Sequence, residues 1–292
     1  MGLNIITCVK SVINNILPGS NRSSSANMEL NPFDRPAVEI ALSLIKEHGG
    51  NLTVVSMGPK PATFGLYQAI SIGADRAILI CDPSLKESDT YITAKVLGRA
   101  LQRLQPFDLV LFGTRTSDSD TGHVGPQTAQ MLDIPFIGNI HSLALSQKKE
   151  KEAADNGIKQ EQDKKIADTA IRQERIETNW IVERKADGYI EKFEVKVQNK
   201  AGSAFSVSSA VGGTDFTSLY GIERAFTDKS IECWDNSILG LTPEETGLVA
   251  SPTKIVAWNK EKRLKRCLFI DGTPEQKAEN LAQKLSEAGF AG

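Results

Sequence analysis

The chain has 292 residues and a formal charge of −2, long enough to bury a substantial core and without the global positive field that draws nucleic acid. Its four cysteines, Cys8, Cys81, Cys233 and Cys267, are far apart and form no CxxC pair, so free thiols in a reducing, cytoplasmic setting are the simplest account and no metal site is expected. The start of the chain turns polar too soon for a signal peptide, and no apolar run approaches a membrane span.

The first 135 residues alternate strand and helix. Ile5 to Val9 reads as a first strand. Asn31-Pro32-Phe33-Asp34 opens a helix whose apolar stripe runs through Ala37, Ile40, Ala41, Leu44 and Ile45, and Gly49-Gly50 closes it. Asn51 to Ser56 is a second strand, Pro61 to Ile72 a helix closed by Gly73, and Arg76 to Cys81 a third strand. A helix from about Thr90 to Leu104 leads into a fourth strand ending at Phe112. Such alternation implies parallel pairing with right-handed crossovers, and ligands of such sheets sit beyond the carboxyl ends of the strands. Three segments fall at that edge: Cys8-Val9-Lys10, Ser56-Met57-Gly58, and the loop from Gly113 to Val124.

That last loop is the most informative stretch. It joins an apolar strand to a helical pattern from Gln127 to Leu132. Unpaired N–H groups at a helix start suit a phosphate, and Thr121, Gly122 and Gly125 add a hydroxyl and room for a close approach. The Lys of a Walker motif and the glycine spacing of a Rossmann fingerprint are both missing. Gly, Ser, Asp and Thr also make ordinary turns, so a plain connecting loop is the competing reading. Asp118 and Asp120 suit ribose hydroxyls or loop N–H groups better than phosphate. With no nucleophile or metal cluster beside them, no catalytic residue is expected. His123 reads as a ligand contact or a wet rim residue, Met57 as core filling or an adenine contact, and Lys10 as a phosphate partner or a solvated cation.

Farther on, 147–178 is rich in charge and reads as a solvated excursion. Trp180 to Arg184 and Tyr189 to Val197 alternate apolar and polar around Asp187-Gly188, a hairpin signal. Ala204 to Val211 reads as a buried strand and Ser218 to Phe226 as a short helix capped by Ser218. Leu239 to Val256 reads as an extended arm whose apolar residues need a partner surface, and a final helix runs from Pro274 to about Leu285. Trp180, Trp234 and Trp258 read as packing anchors.

In this order the motifs resemble the beta subunit of electron transfer flavoprotein over most of the chain. They are Cys8-Val9-Lys10, Asn31-Pro32-Phe33-Asp34, Val54 to Pro59, Gly73-Ala74-Asp75-Arg76, Asp118 to Pro126 and Gly247 to Thr253. The resemblance implies an α/β, parallel-sheet nucleotide-binding domain of the adenine nucleotide alpha hydrolase-like type over 1–235, with the charged insertion at about 147–178. Residues 236–292 would form a C-terminal arm and helix packing on an alpha subunit that carries its own FAD.

The resemblance also implies a nucleotide in the beta subunit. Its binding residues would be Cys8, Val9 and Lys10 after the first strand, Asn31 and Asp34, and Ser56, Met57 and Gly58 after the second. Gly113, Thr114, Asp118, Asp120, Thr121, Gly122, His123, Val124 and Gly125 would complete the set. One branch of the family holds AMP there and reads Asn-Gln-Thr-Gly in the loop. The anaerobic branch that bifurcates electrons from NADH holds FAD, and Gly122-His123-Val124-Gly125-Pro126 resembles that branch, with His123 in place of a common Gln. Leu219 matches the leucine that docks acyl-CoA dehydrogenases. Gly212-Gly213-Thr214-Asp215 replaces the family's Asn-Glu-Pro-Arg, which leaves the redox partner open. Two further readings stand beside the FAD carrier: a non-bifurcating carrier with structural AMP, and a stand-alone nucleotide sensor.

Overall fold

The computed structural model describes residues 2–13, 28–149, 176–196, 202–211, 217–227, 231–254, 256–257 and 269–290. The expected strands and helices of the first half are present: β1 (Leu3–Cys8), α1 (Arg35–His48), β4 (Gly50–Met57), α2 (Thr63–Ile72), β5 (Arg76–Ile80), α3 (Thr90–Arg103) and β6 (Leu109–Gly113). A short antiparallel pair, β2 (Ser11–Ile13) and β3 (Met28–Leu30), lies between β1 and α1. After β6 come α4 (Val124–Met131), β7 (Phe136–Lys149), the hairpin β8 (Ile176–Ala186) and β9 (Tyr189–Lys196), β10 (Ser203–Val207), α5 (Leu219–Thr227) and β11 (Glu232–Trp234).

Nine strands form one sheet in the order β11-β5-β4-β1-β6-β10-β7-β8-β9. The β7–β8 and β8–β9 pairings are antiparallel, and the others are parallel. Because both faces are covered, the central strands are apolar at nearly every position. Ile5, Leu52, Val54, Leu109, Leu111 and Phe205 meet α1 and α2 on one face. Ile6, Val55, Ile78, Val110 and Ala204 meet α3 and α4 on the other. From β1 the chain builds outward through β4 and β5, then returns to lay β6 on the opposite side of β1. That reversal opens a crevice between the carboxyl ends of β1 and β6, where ligands of open α/β sheets bind.

Ser218 caps α5 as expected, its Oγ accepting the Gly221 N–H at 2.9 Å. The hairpin forms around Asp187-Gly188, both at positive φ. Trp180 and Trp234 are buried anchors; Trp258, Cys267, 150–175 and 212–216 lie outside the described residues.

The arm differs from expectation. Residues 1–254 form one compact unit and 255–292 another. Within the first, α6 (Asn236–Leu239) and the residues after it contribute to this chain's own core: Leu239 and Leu241 are buried against the α3 face. The single turn α7 (Gly247–Ala250) is tied down by polar contacts. The Leu248 N–H donates to the Lys86 carbonyl, the Asp89 N–H donates to Ser251 Oγ at 2.9 Å, and the Thr253 N–H donates to the Asp89 carboxylate at 2.8 Å. Leu248 and Val249 remain exposed. In the second unit, α8 (Pro274–Glu287) carries a Thr273/Gln276 capping box and exposes Leu281 and Leu285.

Candidate functional site

Asn31 to Asp34 open the helix as expected, Asp34 being the residue before its first turn with its carbonyl accepting the Ala37 and Val38 N–H groups, and their side chains knit the crevice together. The Asp34 N–H donates to the Asn31 carbonyl, and α1 begins at Arg35 with no side-chain cap. Both side chains are spent elsewhere. Asn31 is buried; its amide donates to the Arg115 carbonyl at 2.9 Å and its oxygen accepts the Ser117 N–H at 3.2 Å. Asp34 accepts the Lys10 N–H at 2.7 Å and also faces the Gly113 N–H. A side chain on Gly113 would run into the Asp34 carboxylate and the Phe33 carbonyl, so glycine is required by this close approach. The exits of β1 and β6 are thus fixed relative to one another from beneath.

Across the mouth, Lys10 Nζ meets the Asp118 carboxylate at 2.7 Å. Burial pushes the Asp118 carboxyl up, but the hydrogen bond and charge of Lys10 outweigh it and hold the group below its usual value. Arg115 pairs with Asp120 at 3.1 Å and lies over the Phe33 ring, 4.4 Å from its centroid. Asp118 therefore holds Lys10 from the exit of β1, and Asp120 holds Arg115 of the loop. Thr121, Gly122 and His123 are exposed. Gly122 has φ +66 and packs beneath the Thr114 carbonyl. His123 occupies the position before α4 and makes no side-chain cap, leaving the first turn of the helix open to an anion.

Other residues of the expected set lie deeper. The side chains of Cys8, Val9 and Ser56 are buried, Ser56 Oγ without a partner among the described residues, and burial pushes the Cys8 thiol far up. Met57 is half-buried against the core, which favours core filling. Gly58 donates its N–H to the Ile80 carbonyl at 3.0 Å. Gly125 is corrected in its reason: α4 begins at Val124 rather than Gln127, so Gly125 lies inside the helix. A Cβ there would press on Phe112 and Phe136 at 3.2–3.4 Å. It serves helix–sheet packing, and a bulky residue there would collide with this chain's own aromatic rings.

A depression beside the loop is formed by residues that were not expected to act together. About 560 Å³ in volume, it is bounded by Thr114, Arg115 and Gly122 from the loop, by Phe136, Gly138 and Asn139 of β7, by Arg184 of β8 and by Ser206 and Ser209. It is a shallow depression open to solvent and lined mainly by polar groups, rather than an enclosed cavity. Asn139 stands at φ +58, and its N–H donates to Ser206 Oγ at 2.9 Å where the β10–β7 register shifts. Arg184 pairs with Glu191 at 2.7 Å and leans on Phe193. Gly138-Asn139 inside an apolar run was the available signal, since such a pair marks a bulge or a close approach. Leu219 lies elsewhere, 86 % exposed at the start of α5, with Tyr220, Ile222 and Phe226 also exposed.

Fold and crevice together define an α/β protein whose candidate ligand site lies at the switch point of a mainly parallel sheet. Residues 23–196 match the electron transfer flavoprotein domain. The chain is 30% identical over 257 residues to the electron transfer flavoprotein subunit beta of Thermoanaerobacterium thermosaccharolyticum, covering 88% of this chain and 85% of the relative. It is 26% identical to that of Clostridium acetobutylicum over 99% of this chain and 100% of the relative. It is also 30% identical to the caffeyl-CoA reductase-Etf complex subunit CarD of Acetobacterium woodii, over 77% of this chain and 73% of the relative. The chain belongs to the electron transfer flavoprotein family, among its beta subunits, and its role is electron transfer. No helix among the described residues is long and apolar enough to cross a membrane.

Proposed function

We propose that this chain pairs with an FAD-carrying alpha subunit, holds a second FAD in its own crevice, and carries electrons between a dehydrogenase and other redox partners, with NADH as a donor whose electrons are divided in the manner of the bifurcating branch. The observation that carries this reading is the depression beyond the nucleotide loop. An AMP would be served by the exits of β1, β4 and β6 alone. A dinucleotide reaches farther, and the open depression lined by Phe136, Asn139, Arg184 and Ser206 leaves space for its second half.

The donors fit. Lys10, Arg115, the open turn of α4 and Gly122 would serve the phosphates. Asp118 and Asp120 would keep the two cations in place. Arg184 and Asn139 would meet the polar edge of a flavin and Phe136 its face. When bound, FAD supplies the electron-accepting chemistry, and the protein supplies binding, orientation and electrostatics. Structural AMP is the alternative occupant. The free thiols Cys8, Cys81 and Cys233 support a cytoplasmic location.

Exposed apolar surfaces support partners. Leu248 and Val249 of the first unit, and separately Val256, Leu281 and Leu285 of the second, would pack on the alpha subunit. The exposed face of α5 around Leu219 would dock an acyl-CoA dehydrogenase-like partner. Leu219→Glu is expected to slow electron transfer from the reduced dehydrogenase about tenfold or more, while the heterodimer still assembles and keeps its nucleotides. Stopped-flow measurement of flavin reduction tests this. An unchanged rate would count against the docking face, and a variant that loses its alpha subunit would reassign the face to subunit assembly.

A further inference from the structure

Asp34 is 4 % exposed, so it lies beneath the crevice rather than in it. Its carboxylate joins the two loops that any nucleotide at the switch point must touch, through the N–H of Lys10 on one side and the backbone of Gly113 on the other. Among the described residues no salt bridge reaches it; the ammonium of neighbouring Lys10 is given to Asp118. We propose that Asp34 is a positioning residue that couples nucleotide binding in this crevice to the uptake of one proton. The inference rests on the reading of the crevice as a nucleotide site.

The physical basis is a buried charge at a loop junction. Burial raises the Asp34 carboxyl to about 7, against the opposing pull of the Lys10 N–H, the Asn31 amide, the Lys10 charge and the Gly113 N–H. Both protonation states are therefore accessible near neutral pH. A phosphate arriving beside Lys10 brings negative charge toward this carboxylate and draws on the same cation, so the protonated form gains. By linkage the effect is reciprocal, and the nucleotide binds more tightly to the protonated protein.

The ionisable groups around this junction are few. Cys8 and Lys10 come from β1 and its exit. Arg115, Asp118, Asp120 and His123 come from the loop after β6. Arg35 and Glu39 on α1 pair with each other at 2.8 Å. Cys8 is held protonated far above neutrality by burial and by the Asp34 charge. His123 lies on the same loop, so a variant at that position serves as the control.

The test is the affinity of the heterodimer for FAD and, separately, for AMP, measured by equilibrium dialysis from pH 6 to pH 9. FAD has no phosphate that titrates in this range, which isolates the protein's proton. Affinity should weaken about tenfold toward pH 9 for each unit by which the bound phosphate raises Asp34. Asp34→Asn should bind with little dependence on pH over the same range, and His123→Gln should keep the wild-type slope. A structural role alone would weaken Asp34→Asn equally at every pH. A flat wild-type profile overturns the coupling even if the variant does not fold. A slope that survives in Asp34→Asn, or disappears in His123→Gln, also overturns it. If the wild-type heterodimer takes up neither nucleotide, the crevice reading fails and the coupling falls with it.

Discussion

A valine at Gly113 is expected to destabilise the protein by about 3 kcal/mol and to empty the crevice of nucleotide. Gly113 is the last residue of β6, and the space a Cβ would need is filled by the Asp34 carboxylate and the Phe33 carbonyl. One of these is backbone and cannot rotate away. The other is held by the Lys10 N–H. Overpacking a site of this kind costs roughly 1–3 kcal/mol, and forcing apart a buried hydrogen-bonded carboxylate puts the cost at the upper end. The exit of β6 would move away from β1, and Lys10 would lose its register with Asp118. Denaturant unfolding and the nucleotide content of the purified variant check both parts. A variant as stable as wild type and fully loaded would show that Asp34 and Gly113 do not hold the crevice.

Phe205→Ala should lower stability by about 3–5 kcal/mol, the usual range for deleting a fully buried aromatic ring. Phe205 lies in β10, between β6 and β7 near the middle of the sheet, and is completely buried with Leu111, Trp180 and Val207. Its neighbour Ser206 holds the Asn139 N–H at the wall of the depression. Loosening β10 should therefore weaken nucleotide binding as well. The shift of the denaturation midpoint measures the first effect. A loss below about 1 kcal/mol would mean that the site collapses around the missing ring, contrary to the close packing described above.

The regular half of the fold was legible because its signals are local. Leu52 to Val55 and Leu109 to Phe112 are apolar runs bounded by turn residues, and α1 and α3 carry clear apolar stripes. β7 was not assigned, because Gly138-Asn139 breaks its alternation and Asn139 adopts a positive φ. β10 was expected as a buried strand, but its insertion between β6 and β7 is a long-range pairing that no local pattern records. The loops of the crevice were located correctly at the strand ends. Their internal chemistry was not: Asn31 and Asp34 look like helix-opening residues, and only the fold brings them under Lys10, Gly113 and Arg115. Arg184 comes from a strand more than sixty positions beyond the loop it faces, and nothing in its own surroundings marks it. Gly125 lies in the first turn of α4 under Phe112 and Phe136, a packing requirement that its sequence surroundings do not record.

The arm was misread in part for a related reason. Leu239 and Leu241 follow no helical or alternating period, yet they close the α3 face of the core. Asn236 anchors them, its amide donating to Ser84 Oγ at 2.6 Å and to Thr246 Oγ1 at 3.1 Å. The Asn236–Ser84 bridge, across 152 positions, holds the segment in place without a pattern that could be read along it.

The most direct test of the central claim is the nucleotide content of the co-purified heterodimer, released by denaturation and quantified by mass spectrometry. Two FAD and no AMP per heterodimer are expected, one flavin in the alpha subunit and one in the crevice between β1 and β6 with the adjoining depression. One FAD with one AMP would contradict it, leaving the depression beside Arg184 without a flavin and making this chain the structural half of a single-flavin carrier.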